Sequence, residues 1–283
     1  MKQLKINLVL NDAKQALLNC GKNEHQVDAE WLLSEITGLS RTQLNMDGHK
    51  SISEEQLQRF NSLLQRRLDG EPIQYILGEQ SFYGYDFIVD EHVLIPRFET
   101  EELVEKAIKW AKEEGATKFI DMCTGSGCIG LTLLKECPNM SGILVDLSTE
   151  ALKIASRNAT RLNLENKVKL IHSDLFDQVP SGEVDLILSN PPYIVTEVIK
   201  GLEAEVRMSE PYMALDGGDD GLIFYRHIIK SAKEFLRIQG LLIVEIGYDQ
   251  MEQVKKIFSD EGYSHIKGFQ DMSGKDRIVL AKR

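Results

Sequence analysis

The sequence has no CxxC pair, no apolar run near the roughly 20 residues of a membrane span, and no surplus of positive charge. Each absence removes a class of function. Four cysteines, Cys20, Cys123, Cys128 and Cys137, have no histidine nearby at metal spacing. They read as free thiols of a reducing cytosol, which argues against a disulfide framework and against a structural metal. The opening residues are soon interrupted by Asn11, Asp12 and Lys14, so no signal peptide is expected and the cytoplasm is the expected location. Lysine and arginine number 33 against 44 aspartates and glutamates, a net charge of −11. Nucleic acid would have to bind through a local basic patch against an unfavourable field. Arg66-Arg67 and the helically spaced Lys106, Lys109 and Lys112 are candidates, although solvated helix faces explain them more simply. No internal repeat or low-complexity stretch stands out.

What is present is an ordinary globular composition, 42% hydrophobic and 27% charged over 283 residues, enough for about two domains. From Asn7 to about Leu77 apolar residues recur at helical spacing: Ala13, Leu17 and Leu18; then Val27 to Ile36; then Leu57 to Leu68. Asn11-Asp12 and Ser51 or Ser53 are candidate caps, Gly38 and Gly70 candidate stops. This predicts a small helical bundle over 1–79. It carries no cluster of catalytic residue types, so we assign it to substrate docking, with a stabilising cap on the second domain as the alternative. Residues 80–95 are aromatic and partly alternating, which predicts a β-hairpin linker with its turn at Gly84-Tyr85.

From 96 to 283 helix and strand alternate. Strands are predicted at 118–121, 142–146, 168–172, 184–189, 241–246, 263–269 and 277–282, with helices from near Thr100 to Glu114 and at 127–136, 149–162, 221–237 and 249–260. This rhythm means an α/β fold with a mostly parallel, doubly wound, Rossmann-like sheet of seven strands, its last two an antiparallel hairpin at one edge.

Residues suited to chemistry follow the strands. Asp121-Met122-Cys123-Thr124-Gly125-Ser126-Gly127 opens a glycine loop, which lets a ligand approach the backbone before a helix begins. Read literally, Gly125 to Gly130 is the dinucleotide fingerprint, a weak signal alone. Asp146-Leu147 ends the next strand about 20 positions beyond Gly127, where an acid takes a ribose hydroxyl pair. Asp174-Leu175 ends the third, where Asp174 could accept from an adenine amino group. Together they describe a nucleoside site. Asp121 at the loop disfavours a pyrophosphate and suits the ammonium or sulfonium side of S-adenosylmethionine. His172 sits at the same strand end, where a capping histidine is commoner than a catalytic one.

The fourth strand runs into Asn190-Pro191-Pro192-Tyr193. Asn190 offers a carbonyl acceptor, the prolines supply no N–H and hold their carbonyls in place, and Tyr193 adds a flat face. An amide or exocyclic NH2 group fits this grip, although a plain Asn-Pro turn reads the same way. Arg97, after Leu94-Ile95-Pro96, could clamp a carboxylate or order the neighbouring loop, although a surface ion pair explains it as simply.

These segments resemble the release-factor glutamine N5-methyltransferases, the PrmC/HemK family. The similarity extends through Gln74-Tyr75-Ile76-Leu77-Gly78, Glu210-Pro211, Gly217-Gly218-Asp219-Asp220-Gly221 and Glu245-Ile246-Gly247. The resemblance implies a class I methyltransferase domain and methyl transfer from S-adenosylmethionine to the glutamine amide of the Gly-Gly-Gln motif in class-I peptide-chain release factors; the alternatives are a glutamine of a ribosomal protein, a nucleic-acid adenine N6, or a non-catalytic nucleoside-binding module. From composition and spacing no metal, no stable nucleic-acid binding and no membrane are expected, and the protein is expected to be a monomer. Asp121, Cys123, Thr124, Gly125, Ser126, Gly127, Asp146, Leu147, Asp174, Leu175 and Asn190 would line the donor site. Asn190, Pro191 and Tyr193 would act in catalysis, and these with Pro192 and Arg97 would bind the substrate. Cys123 stands where the family usually has glycine, and Leu175 where it often has tryptophan, so stacking on the adenine could come from Phe176.

Overall fold

Apolar residues at helical spacing form α1 (Ile6–Asn19), α2 (His25–Thr37), α3 (Arg41–Met46), α4 (Glu54–Leu68) and α5 (Ile73–Leu77). The computed structural model describes residues 4–283, and chain contacts divide it into one unit ending at Gly78 and another from Glu79 to Arg283. In the first unit Leu17, Leu32, Leu33 and Phe60 are almost wholly buried. Gly38 closes α2 in the left-handed conformation, and Ser53 caps α4 in a reciprocal box with Gln56. Asn11 and Asp12, expected as a cap, lie inside α1. That helix starts earlier because the N–H groups of Ile6 and Asn7 donate to the carbonyls of Lys50 and Gly48. Arg67 pairs with Asp28 at 2.7 Å in the interior and Arg66 with Glu71, so both candidate patch residues are engaged within this unit.

The second unit begins with a hairpin of β1 (Glu79–Phe82) and β2 (Tyr85–Ile88). Its turn falls at Tyr83-Gly84, one residue earlier than expected, because this two-residue turn takes positive φ at both positions, here 52° and 77°. Then follow α6 (Phe98–Glu114), β3 (Lys118–Met122), α7 (Cys128–Glu136), β4 (Ser141–Asp146), α8 (Thr149–Arg161), β5 (Val168–His172) and β6 (Val184–Ser189). Three short helices, α9 (Thr196–Ile199), α10 (Ala204–Ser209) and α11 (Tyr212–Leu215), come next. The chain ends with α12 (Ile223–Phe235), β7 (Leu236–Glu245), α13 (Met251–Asp260), β8 (Ser264–Gln270) and β9 (Asp276–Lys282). The short helices were not expected.

The seven-stranded sheet has the order β5-β4-β3-β6-β7-β9-β8, parallel except for β9, which runs against both neighbours. Alternate residues of each strand face opposite layers. Phe119, Leu144, Leu186 and Ile243 pack under α6, α7 and the hairpin's Phe82 and Phe87, while Ile120, Val145, Ile187 and Val244 pack under α12 and α13. From β3 the chain winds outward through β4 to β5, then returns to place β6 on the other side of β3. The carboxyl ends of β3 and β6 are therefore the topological switch point, where open α/β sheets form a crevice. Among the described residues, no helix is long and apolar enough to cross a membrane.

Candidate active site

The loop after β3 is held from behind and below. Asp121 is fully buried, and its Oδ2 accepts from the Thr124 hydroxyl at 2.6 Å and from the Gly130 N–H at 3.0 Å. Burial pushes its carboxyl up to about 7, against the pull of those two donors. The backbone turns through positive φ at Cys123 (60°), Gly125 (54°) and Gly127 (82°) before α7 begins. A Cβ on Gly127 would lie 3.0 Å from the tip of the Leu131 side chain, a contact a small side-chain shift relieves, so the positive φ is what calls for glycine at this helix start. Cys123 takes a conformation that costs an L-residue about 1–2 kcal/mol and that glycine adopts freely. Asp146 receives the Gly125 N–H on Oδ2 at 2.8 Å and the Ser148 N–H on Oδ1 at 2.9 Å. Burial raises its carboxyl above the ordinary value, and these backbone donors offset only part of that.

Across the switch point, Ser189 ties the end of β6 to β3 by donating to the Met122 carbonyl at 2.8 Å. Asn190 Nδ2 then donates to the Thr100 hydroxyl at 3.3 Å, and that hydroxyl donates to Glu245 Oε2 at 2.6 Å. The Tyr193 hydroxyl meets the other carboxylate oxygen at 3.5 Å. Burial raises the Tyr193 phenol well above its usual range, so it remains a neutral donor. Gln250 holds the loop's backbone, its Nε2 donating to the carbonyls of Tyr193 at 3.0 Å and Gly221 at 3.2 Å.

These two loops share one cavity with the segment before α6 and the turn around α11. Of the residues singled out in the sequence, Arg97, Cys123, Thr124, Gly125, Ser126, Asp146, Leu147, Asp174, Leu175, Asn190 and Pro192 line it. Asp121, Gly127, Pro191 and Tyr193 do not. Asp121 sits behind the loop instead of facing a ligand, because its oxygen is taken up in holding Thr124 and Gly130. Arg97 forms an ion pair with Glu210 at 2.5 Å, which anchors the α10–α11 turn beside the cavity. Phe176 is buried and stacked on Phe235, 4.8 Å between ring centroids, so it belongs to the core and not to the pocket. Phe224, not singled out before, is the aromatic residue on the wall. His172 directs Nε2 to the Leu147 carbonyl at 2.9 Å, a structural contact. The roles of Thr100, Glu245, Glu210 and Gln250 also escaped the sequence reading, because each acts through a partner remote in the chain.

A doubly wound sheet with a glycine loop and an Asn-Pro-Pro-Tyr loop opening on one crevice defines a class I methyltransferase domain. Residues 101–210 match the methyltransferase small domain family, and residues 9–78 match the PrmC N-terminal domain family. The chain is 39% identical over 275 residues to a release factor glutamine methyltransferase of Agrobacterium fabrum, covering 96% of this chain and 95% of that one. It is 42% identical over 274 residues to a protein of the same name from Geobacter sulfurreducens, covering 97% and 95%. A crystal structure of a methyltransferase from Pyrococcus furiosus shares the fold at 18% identity, with a TM-score of 0.51 over 78% of this chain and 98% of that one. The chain belongs to the release factor glutamine methyltransferase family.

Proposed function

We propose that this protein methylates the side-chain amide nitrogen (N5) of the glutamine in the Gly-Gly-Gln motif of class-I peptide-chain release factors, with S-adenosylmethionine as donor. The residues present fit that donor. Gly125 leaves open space for a close approach, Asp146 offers a carboxylate at the second strand end, and the wall between Leu147, Leu175 and Phe224 is apolar. Thr124, Gly125 and Asp146 would hold it, with Gly127 setting the turn of the loop and Asp174 on the adenine. When bound, the donor supplies a methyl carbon on a sulfonium sulfur: its C–S bond breaks as the N–C bond forms, leaving a neutral thioether.

The observation that carries this reading is the position of Asn190, which lines the cavity that the glycine loop opens on. An amide nitrogen is a poor nucleophile because its lone pair is shared with its carbonyl. Asn190 Oδ1 would accept one of its N–H groups at the cavity wall; the Pro191 carbonyl and the Tyr193 ring, which do not line this cavity, would meet the other N–H and the amide plane on the acceptor's side of the loop. Positive charge gathering on nitrogen strengthens those bonds in the transition state, where they accelerate the reaction. After transfer the nitrogen releases one proton to water.

On this reading the protein acts in the cytoplasm as a monomer, without a metal and without stably held nucleic acid, the last supported by its net charge of −11. The test is incubation with methyl-labelled donor and an unmethylated release factor, beside a version with the Gly-Gly-Gln glutamine changed to alanine. Label on the first and none on the second supports chemistry and target together; label on neither, with donor bound, removes the proposed acceptor.

A further inference from the structure

We propose that Thr100 and Glu245 are positioning residues for this reaction, a relay that turns the Asn190 amide so that its oxygen faces the acceptor nitrogen. The inference rests on the function proposed above and assigns roles to two residues the mechanism has not yet used.

An ionised Glu245 has only lone pairs, so the Thr100 hydroxyl must spend its single proton on it. The Thr100 oxygen then presents only lone pairs to Asn190, and the Asn190 NH2 must be the group that meets it. Oδ1 is left directed away from Thr100. With the amide reversed, its NH2 would meet the acceptor's own N–H groups, donor against donor. The second Glu245 oxygen faces the Tyr193 hydroxyl, so one carboxylate steadies both the amide and the ring of the Asn-Pro-Pro-Tyr loop.

A carboxylate is a costly choice for this place. Glu245 is 1% exposed at the end of β7, and Thr100 is 2% exposed in the first turn of α6. Burial pushes the Glu245 carboxyl up to about 7, although the Thr100 hydroxyl and the Arg277 guanidinium pull it down. Glu99 on α6 opposes them, Arg277 on β9 is itself held by Asp271 at 3.1 Å, and Tyr225 donates to the Glu245 backbone carbonyl. An apolar residue would pack there without that cost, so stability alone does not account for the acid.

The test uses Thr100→Val, Thr100→Ser and Glu245→Gln in the full chain, with Asn190→Ala as the inactive reference. Thr100→Val should lower kcat on the release factor by on the order of 10²-fold, with donor Kd and melting temperature near wild type; Thr100→Ser should restore most of the rate. In Glu245→Gln the amide oxygen still accepts from Thr100, so part of the rate survives while the rise in rate with pH through about 7 disappears. That loss separates Glu245 from Asp121, whose carboxyl also lies at about 7. An independent reading comes from the Asn190 side-chain NH2 resonances, which should be protected from solvent exchange in wild type and exposed in Thr100→Val. Wild type that methylates no glutamine would remove the function proposed above and leave the resonances to judge the relay. Thr100→Val with wild-type kcat, or with unaltered Asn190 resonances, would overturn the relay itself.

Discussion

A Cβ built on Gly221 would stand 2.5 Å from the carbonyl oxygen of Tyr193 and 2.6 Å from Nε2 of Gln250. Gly217 is as tight, its Cβ falling 2.7 Å from the Tyr193 backbone. The Gly217-Gly218-Asp219-Asp220-Gly221 stretch is thus the surface against which the Asn-Pro-Pro-Tyr loop is pressed. Gly221→Ala must displace backbone on one side or the other, a change of about 1–3 kcal/mol, and should reduce methyl transfer more than tenfold. Gly115→Ala is the control: it has positive φ of 64° but open space around it. It should show only the conformational cost in urea melts and keep full activity.

Asn190→Ala should abolish turnover and leave donor Kd within about threefold, because an interaction that grows in the transition state appears in kcat and not in ground-state binding. Asn190→Asp should be equally inactive. Its carboxylate would face Glu245 across a single Thr100 hydroxyl that cannot donate to both. Single-turnover assays beside donor titration separate the two quantities, and a near-normal rate in Asn190→Ala would end the mechanism.

Cys123 holds a position shaped for glycine. Cys123→Gly removes about 1–2 kcal/mol of left-handed strain and adds about 0.5–1 kcal/mol of chain entropy, so the expected net change is a slight stabilisation. Cys123→Val, with branching at Cβ, should instead cost more than 2 kcal/mol. The ordering glycine, cysteine, valine in thermal melts is the outcome to check; valine at or above cysteine would show that φ is not what matters at this residue.

The sheet was legible because strands buried on both faces read as apolar runs, and β6 was placed to the residue at 184–189. The loops after β3 and β6 stood out because glycine and Asn-Pro-Pro-Tyr follow such runs directly. What could not be read was whatever depends on a distant partner. Thr100 meets Asn190 across 90 positions and Glu245 across 145, and no spacing in the chain signals either contact. Helices α9 to α11, of four to six residues each, are too short to show a period. Asp121 was placed at the ligand because a carboxylate beside a glycine loop looks like a binding group. Only the fold reveals that Gly130 and Thr124 occupy it from behind.

Asp121 should make stability depend on pH in a defined direction. Its folded carboxyl lies at about 7, against about 3.9 for an unfolded aspartate. The folded state therefore holds the proton more tightly. That contribution is complete below about pH 3.9 and is lost as pH rises through about 7. Oδ1 has no hydrogen-bond partner, so nothing offsets a charge on that oxygen. Asp121→Asn removes the titration. Between pH 4 and 7.5 the variant should gain on wild type by on the order of a few kcal/mol, read from urea melts at each pH. Parallel curves would mean that the carboxyl ionises normally in the fold.

Asn158 joins parts of the second unit that the sequence leaves unconnected. It is fully buried in α8 and makes three hydrogen bonds. Its Oδ1 accepts from the Ile88 N–H at 2.7 Å, and its Nδ2 donates to the Ile88 carbonyl at 3.0 Å and the Ser126 carbonyl at 2.9 Å. One amide thus holds the end of the hairpin and the middle of the glycine loop to the same helix. Asn158→Ala leaves those three backbone groups without their partner, at about 1–3 kcal/mol for a buried one left unsatisfied. Asn158→Asp keeps the acceptor and puts a carboxylate against two carbonyls, which is worse. The informative comparison is between stability and donor binding at a temperature where the variant is still folded. If Ser126 depends on this bond, donor Kd should rise several-fold in Asn158→Ala while the fold persists. A variant that loses stability but binds the donor as wild type would confine the role of Asn158 to the hairpin.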